Sequence, residues 1–359
     1  MVDSSLRNTI IAGTAICVLG LGLCQAATAA ARRGQQGLTK NEPMGRHKGK
    51  VLRGAHMLIG GEKDLEALRA QIPVLAAKGL NTIVVEVDYN YQFRRRPEMF
   101  DPSGVTLAGA RRFSATCRRV GVNVIPEIDC LGHQSWASAT GALLTRHPEL
   151  DETPGQYPNN QGIYCRSWCP LHPDLPTIVY PLIDELVDAF QASSFHCGLD
   201  EVFIIGSPFC TRCHGLDPAL LFAKQVKSLY YHLLLHRVQM LMWSDRLLNA
   251  SLTGYGEWEA SANGTDPAID LVPKGILLCD WHYEYRDSYP SLGIFLSHGF
   301  SVWPCTWNDA NAASTFSSDA QTMNQWRIVG ALSSTWGAVN ASQLSAWPPF
   351  LATLEPWLN

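Results

Sequence analysis

After residue 50, short apolar segments rich in β-branched residues alternate with longer segments of helical periodicity. The first pair is an apolar run at 51–59, followed by apolar positions three and four residues apart across 63–78. This alternation indicates βαβ units and a mainly parallel sheet. It continues to the C-terminus and predicts eight strands, at 51–59, 81–88, 123–129, 195–199, 238–243, 275–281, 300–304 and 330–336.

Helices are predicted between these strands at 63–78, 107–120, 175–192, 218–237, 288–298, 320–326 and 341–354. The stretch 254–274 has no regular period, so we expect the helix after the fifth strand to be missing or short. Eight strands with intervening helices predict a single (β/α)8 TIM barrel, an α/β fold for which roughly 250 residues is typical. In such barrels the C-terminal strand ends carry the chemistry.

The segment before the barrel has the pattern of an export signal. Arg7 precedes an apolar run at 10–23, and small residues follow it, as in a secretory signal peptide. We predict a signal peptide at 1–31, a flexible polar linker at 32–50 and the barrel domain at 51–359. The apolar run is shorter than the roughly 20 residues of a membrane span. The expected location is secreted or periplasmic, with membrane contact only through an uncleaved N-terminal segment.

Composition narrows the class of ligand. A net charge of −4 offers no basic field for phosphates, so nucleic acid is a poor partner. The eleven Trp, eleven Tyr and twelve Phe residues are consistent with a carbohydrate site, because aromatic faces stack on sugar rings.

The strongest chemical signal is the pair Asp200 and Glu201, directly after the strand at 195–199. A bare acidic pair commonly caps a turn. Here its context resembles a known family. The segment HCGLDE at 196–201 is similar to the H-x-G-x-D-E signature of glycoside hydrolase family 20, the β-N-acetylhexosaminidases. IPEIDCLGH at 125–133 is similar to the family's I-P-E-x-D-x-P-G-H segment, with Leu131 in place of a proline.

Later segments match the same family in the same order, so the resemblance runs from about residue 51 to the C-terminus. MWSD at 242–245 resembles the fifth-strand tryptophan motif, Trp307 to Asp309 resembles the seventh-strand Y-x-D, and Trp336 matches the eighth-strand tryptophan.

The resemblance implies a retaining exo-β-N-acetylhexosaminidase that acts on terminal GlcNAc or GalNAc of a glycan or glycoconjugate. In that family the 2-acetamido oxygen of the sugar attacks the anomeric carbon, so no enzyme nucleophile is needed. Carried onto this chain, Glu201 is the general acid and Asp200 orients the acetamido group. No metal and no organic cofactor is required.

Further residues are expected to bind the substrate. His133 and His196 either polarise the acids through hydrogen bonds or are structural histidines, and both interpretations stay open. The remaining expected substrate-binding residues are Trp243, Trp281, Tyr283, Trp307, Asp309 and Trp336.

The chain also departs from the family. Its first strand ends Met57-Leu58-Ile59, where the family has D-x-x-R with a sugar-binding arginine. Trp307 stands where a tyrosine usually donates to the acetamido oxygen, which leaves Tyr283 and Tyr285 as candidates. These changes, together with the missing preceding α/β domain, suggest a divergent single-domain branch. They also motivate an alternative, a non-catalytic carbohydrate-binding barrel, although both acids are intact.

The cysteines suggest a third hypothesis, a metal or electron-transfer protein. Cleavage after residue 31 would leave nine cysteines, an odd number. The C-x-x-C-H pattern from Cys210 to His214 matches haem attachment, but nothing around it resembles a small cytochrome. Cys165, Cys169, Cys210 and Cys213 could bind zinc. Loop disulfides are the simpler expectation for an exported protein.

Overall fold

In the computed structural model, which describes residues 51–358, eight parallel strands close into a barrel. Each strand pairs with the next along the chain, and the last pairs with the first. The strands β1 to β8 span Leu52–Leu58, Thr82–Glu86, Asn123–Cys130, Ser194–Gly198, Gln239–Trp243, Leu277–Trp281, Ser301–Thr306 and Gly330–Ser334. The predicted (β/α)8 fold is confirmed.

Helices of seven residues or more cover the barrel. They are α1 Glu62–Ala77, α2 Leu107–Arg119, α3 Leu175–Phe190, α4 Pro218–Leu235, α5 Pro290–Ser297, α6 Ala310–Thr322 and α7 Pro348–Leu354. On α1, the periodic residues Leu65, Leu68, Ile72 and Leu75 are all buried. Between β5 and β6 the chain forms only short helical pieces, Ala250–Thr253, Gly256–Glu259 and the 3-10 turn Asp266–Asp270. The irregularity expected at 254–274 is therefore present.

Two helix predictions near the C-terminus were wrong. The helix predicted at 320–326 lies at Ala310–Thr322 instead, because Asp309 caps its start and its buried face consists largely of small residues. Small side chains give a weak apolar period. The helix predicted at 341–354 is two helices, Ala341–Leu344 and Pro348–Leu354, because Pro348 begins a new helix and cannot continue one.

The barrel interior is a packed core that closes the barrel below the strand ends. It includes the side chains of Val84, Ile125, Leu241, Leu277, Trp303 and Leu332. Trp303 lies so close to β1 that a Cβ on Gly54 would stand 2.2 Å from its Cζ2. Side chains at the C-terminal strand ends therefore rest on a solid floor.

No helix within residues 51–358 has the length and apolar character needed to cross a bilayer. The predicted signal peptide and linker, residues 1–50, lie outside the described part of the chain.

Candidate active site

The C-terminal end of β4 leads directly into the two acids. Asp200 is 6% exposed, and the side chain of Glu201 is 13% exposed. The backbone N–H of Glu201 donates to Asp245 Oδ2 over 2.9 Å. Asp200 Oδ1 is buried and has no hydrogen-bond partner among the described residues. A buried, unpaired carboxylate oxygen is costly unless a ligand satisfies it.

His133, after β3, brings the two acids to one point. Its Nε2 lies 3.1 Å from Glu201 Oε2 and 3.4 Å from Asp200 Oδ2. Burial alone would lower the pKa of His133, but the nearby Asp129 and Asp200 raise it well above its ordinary value. The neighbouring carboxylates thus favour the protonated form of this imidazole, which lies between Asp200 and Glu201.

Left-handed backbone is concentrated around these acids. A residue other than glycine rarely adopts positive φ, and such strain is typical of functional sites. Among the residues with positive φ are Asp88, Leu131, His133, Leu199, Glu201 and Trp336. All of them lie just after barrel strands. The backbone strain is therefore located where the chain turns toward the pocket.

Asp129, at the end of β3, packs so closely against the acidic motif that position 198 has no room for a side chain. A Cβ on Gly198 would stand 2.0 Å from Asp129 Oδ1, so only glycine fits. The same oxygen accepts from the backbone N–H of Leu199 over 3.3 Å. Asp88 Oδ1 in turn accepts from the N–H of Asp129 over 2.8 Å. Burial raises the pKa of Asp88 to about 6 and that of Asp129 well above its usual range.

Asp245, after β5, holds the backbone of the acidic loop. Besides the N–H of Glu201, its carboxylate accepts from Arg246 Nε over 2.6 Å and from Trp281 Nε1 over 3.4 Å. Burial raises the pKa of Asp245 to about 6, against the opposing effect of Arg246. This network fixes both the position of Glu201 and the edge of the Trp281 ring.

A charged layer lies beneath the acids, centred on Glu127 of β3. Glu127 Oε1 lies 2.6 Å from His196 Nδ1 and accepts from Trp243 Nε1 over 3.1 Å. His56 Nε2 lies 3.2 Å from Glu127 Oε2 and 2.8 Å from Glu86 Oε2. Burial alone would raise the pKa of Glu127, but the two histidines lower it to about 2. This buried carboxylate is ionised and paired with two histidines. It is therefore suited to a structural role beneath the acids and not to donating a proton.

Four aromatic side chains stand beside the acids on the strands that follow. Tyr283 stacks on Trp281 with 4.8 Å between ring centres, and it lies 5.4 Å from Trp307. Its hydroxyl accepts from Trp336 Nε1 over 2.6 Å. Trp307 Nε1 donates to the carbonyl of Thr335. The group forms one apolar wall that carries a single phenol oxygen.

A second aromatic group, the rim cluster, is centred on Tyr164. This ring lies 5.8 Å from His133, 5.7 Å from Trp136, 5.6 Å from Phe203 and 5.0 Å from Trp258. Trp136 and Trp258 are 65% and 47% exposed. Exposed aromatic faces next to the acids are suited to stacking on sugar rings.

The sequence of the barrel matches a known protein family. Residues 114–352 match the family model for the catalytic domain of glycosyl hydrolase family 20. The chain belongs to this family. It is therefore a glycoside hydrolase, and the resemblance of its two motifs to the family is confirmed. No curated protein matches the chain at a significant level.

Solved structures share the fold of this family-20 chain. They include a chitobiase from Flavobacterium johnsoniae, with a TM-score of 0.62 and 18% identity over 84% of this chain and 47% of that chain. A β-N-acetylhexosaminidase from Bacteroides fragilis has a TM-score of 0.63 and 15% identity over 85% of this chain and 66% of that one. Dispersin B has a TM-score of 0.53 and 15% identity over 85% and 98%. The chain thus spans about half to two thirds of the first two proteins.

The family-20 barrel brings most of the predicted site residues together. Asp200, Glu201 and His133 meet at one point, and the aromatic wall contains Trp281, Tyr283, Trp307 and Trp336. His196 and Trp243 are almost completely buried in the layer beneath, where they support the acids from below.

Asp309 is the N-cap of α6. Its side chain is exposed and accepts the backbone N–H groups of Asn311 and Ala312 at the start of α6. The family's missing arginine has no substitute at the end of β1, where Leu58 is 40% exposed.

Sequence reasoning missed several residues of this site. His56, Glu86, Asp88, Tyr164, Phe203, Trp258 and the carboxylate role of Asp245 were not singled out. Polar residues at the ends of β1 and β2 were a usable signal, because all barrel strands end at the same face. Tyr164 and Trp258 lie in irregular loops, where no period marks them.

The four cysteines predicted to bind zinc or form loop disulfides, Cys165, Cys169, Cys210 and Cys213, do not all meet at one point. The nine cysteines within residues 51–358 are all unpaired by disulfides. Cys165 is separate from the other three, with its Sγ 3.7 Å from the carbonyl of Glu201. Cys169, Cys210 and Cys213 converge elsewhere with Glu152. His214 is exposed while Cys210 and Cys213 are buried, an arrangement unlike a haem attachment site.

Proposed function

We propose that this glycoside hydrolase removes terminal β-linked N-acetylhexosamine, GlcNAc or GalNAc, with retention and by substrate-assisted catalysis. The observation that carries the proposal is the arrangement of Asp200, Glu201 and His133. It combines a buried carboxylate oxygen without a partner, a partly exposed carboxyl group and an imidazole that lies within 3.4 Å of both acids. The chitobiase and hexosaminidase names of similar structures point the same way.

In the first step, Glu201 donates its proton to the glycosidic oxygen. The acetamido carbonyl oxygen forms a bond to the anomeric carbon as the bond to the leaving oxygen breaks, which gives an oxazolinium ion. Asp200 Oδ1 accepts the acetamido N–H and stabilises the positive charge that develops there. No carboxylate of the protein is needed as a nucleophile.

In the second step, the carboxylate of Glu201 removes a proton from water. The water attacks the anomeric carbon, the oxazoline ring opens and the acetamido group is restored. Two displacements at the same carbon give net retention, and Glu201 regains its proton.

Tyr283 is proposed to replace the family's tyrosine of the seventh strand. Its oxygen accepts the indole N–H of Trp336, and its hydroxyl would donate its proton to the acetamido oxygen. Tyr285, the other candidate, is 54% exposed and its hydroxyl contacts Asp287. The wall of Trp281, Trp307 and Trp336 would then enclose the acetamido methyl group and the sugar ring. The rim cluster would bind the next sugar of the glycan.

The first test uses the p-nitrophenyl β-glycosides of GlcNAc, GalNAc and glucose. We expect the wild type to cleave the first or second and not the third, which lacks the acetamido nucleophile. Glu201→Gln should lower kcat by about 10²- to 10⁴-fold, the range for a lost general acid, and Asp200→Asn should also lower it strongly. Release of single GlcNAc units from chito-oligosaccharides would identify exo cleavage.

Glu284→Gln is the matched control, because this carboxylate is 82% exposed and contacts only Arg286. Its activity should equal that of the wild type. Failure of the folded wild type to cleave either acetamido glycoside or chito-oligosaccharides would contradict the proposal and favour a carbohydrate-binding barrel. Equal turnover of the glucoside would exclude substrate assistance.

We also propose that the protein is exported, on the basis of the signal-peptide pattern within residues 1–31. N-terminal sequencing of the mature protein from the periplasm or medium should begin within or after the run of small residues at 26–31. Recovery of the uncleaved chain in the cytoplasm alone would contradict export.

A further inference from the structure

Four side chains with metal-binding chemistry converge behind the loop that follows the acids. They are Glu152, Cys169, Cys210 and Cys213, and all four are buried. One ligand atom from each lies within 4.8 Å of the others. The Sγ of Cys169 lies 3.4 Å from the Sγ of Cys213 and 3.4 Å from that of Cys210.

The sulfur spacing is closer to a metal site than to a disulfide. A disulfide bond is about 2.05 Å long and joins only two cysteines, so it would leave the third thiol and Glu152 unexplained. A tetrahedral zinc ion with Zn–S bonds of about 2.3 Å holds its sulfur ligands about 3.8 Å apart. Three sulfurs, two of them 3.4 Å from that of Cys169, can form one face of such a tetrahedron, and a carboxylate oxygen can supply the fourth corner.

Glu152 gives an independent indication that a cation is needed. Its Oε1 accepts from the backbone N–H of Ser207 over 3.0 Å. Its Oε2 is buried without a partner of good hydrogen-bond geometry within residues 51–358, and the thiols of Cys210 and Cys213 contact the carboxylate. Burying such an oxygen unpaired is costly, whereas a bound cation would satisfy it. The Ser207 contact would then orient the ligating carboxylate from the outer shell.

The surroundings favour a closed, structural site. Cys210 and Cys213 have the C-x-x-C spacing of structural zinc sites, in a tight turn where the N–H of His214 donates to the carbonyl of Cys210. The three cysteines pack with Leu221, Leu171 and Ile205. With four protein ligands and these apolar neighbours, the ion would have no open coordination position, which a catalytic metal needs.

We propose that Glu152, Cys169, Cys210 and Cys213 form a structural zinc site with three thiolates and one carboxylate. The ion would join the loop that follows Glu201 to the loop that carries Tyr164. Both loops border the acids, so zinc would brace this side of the site without contacting substrate. The inference does not depend on which sugar is cleaved.

The test measures zinc in the full-length protein, purified after expression with zinc in the medium. We expect one zinc per chain in the wild type and in the control Cys117→Ala, a cysteine buried on α2. Cys210→Ser and Cys213→Ser should lose the metal. Glu152→Gln, a variant of nearly the same shape, should weaken zinc binding by at least about tenfold in competition with a chelating dye.

Because the cysteine variants can fail to fold, cobalt provides a second measurement on the wild-type chain. Apo protein reloaded with Co²⁺ should show thiolate-to-cobalt charge-transfer bands and the intense d–d bands of tetrahedral coordination. The proposal is overturned if folded, reduced wild-type protein binds neither zinc nor cobalt, or if folded Cys210→Ser and Cys213→Ser retain zinc. A disulfide between Cys169 and Cys210 or Cys213, detected by mass spectrometry of the protein as purified, also overturns it.

Discussion

Tyr283 is the residue of the aromatic wall that takes part most directly in the proposed chemistry. Its ring is fixed between Trp281 and Trp307, and Trp336 donates to its oxygen. The three indole N–H groups of the wall already donate within the protein, so the Tyr283 hydroxyl, which also contacts Ser334, is the polar group that remains for a ligand. A donor fixed at this position would hold the acetamido oxygen in line for its attack on the anomeric carbon.

We therefore expect Tyr283→Phe to lower kcat by about 10²-fold, the order of loss when a reacting group is misplaced, with a smaller change in KM. Tyr285→Phe should leave both constants unchanged, because Tyr285 is exposed and bonded to Asp287. Steady-state kinetics on the acetamido glycosides provides the measurement. A kcat for Tyr283→Phe close to that of the wild type would assign the contact to another group.

At the scale of elements, His282 joins three pieces of chain near the end of β6. Its Nδ1 lies 2.5 Å from Glu259 Oε2, on the short helix Gly256–Glu259. Its Nε2 lies 2.9 Å from Ser291 Oγ at the start of α5 and 3.3 Å from Asp280 Oδ1. Burial alone would lower the pKa of His282, but Asp280 and Glu259 raise it to about 9. The fold thus stabilises the protonated ring.

This shift predicts how stability depends on pH. A histidine with a raised pKa stabilises the folded protein fully below its unfolded pKa of about 6.5, and the contribution is lost as pH rises toward 9. Thermal unfolding should therefore show a melting temperature that falls between pH 6.5 and 9. His282→Gln should melt lower at pH 6.5 and show a shallower fall with pH.

His298→Gln serves as the control for His282, because His298 is a third exposed and its partner Asp270 is on the surface. It should keep the wild-type pH dependence. His56, with a pKa raised to about 10, contributes to the fall in both variants. A slope for His282→Gln equal to that of the wild type would show that the network is not held by charge.

For the whole molecule, barrel closure depends on how β1 packs against the interior. A Cβ on Gly54 would stand 2.2 Å from Trp303 Cζ2 and 2.8 Å from Leu332 Cδ1. Both partners belong to the buried interior, so neither can move without disturbing the floor beneath the site. A close-packed interior has little room for even one added methyl group.

Gly54→Ala should therefore destabilise the protein by about 1–3 kcal/mol, the typical cost of overpacking. Gly293→Ala is the matched change on α5, where an added Cβ meets nothing within 4 Å. It should be neutral or stabilising by up to about 1 kcal/mol, because alanine favours the helix. Unfolding by denaturant measures both. Equal stability of the two variants would mean that the barrel can expand at Trp303.

The sequence by itself determined the order of strands and helices, the barrel, and the positions of Asp200, Glu201 and His133. These features are written in short-range patterns: apolar periodicity within one element, and motifs that span fewer than ten residues. Where the local pattern was weak, as on α6 with its small buried residues, the prediction was wrong.

The tertiary structure alone decided which distant residues meet. Glu127 and Trp243 are 116 positions apart yet share a hydrogen bond, because barrel closure brings all C-terminal strand ends to one face. The same long-range packing placed Cys165 beside Glu201 and put Glu152 among the other three cysteines. It also turned Asp309 into the cap of α6. Residue type and spacing give the chemistry that a chain can perform, whereas contacts between distant segments decide where it performs it.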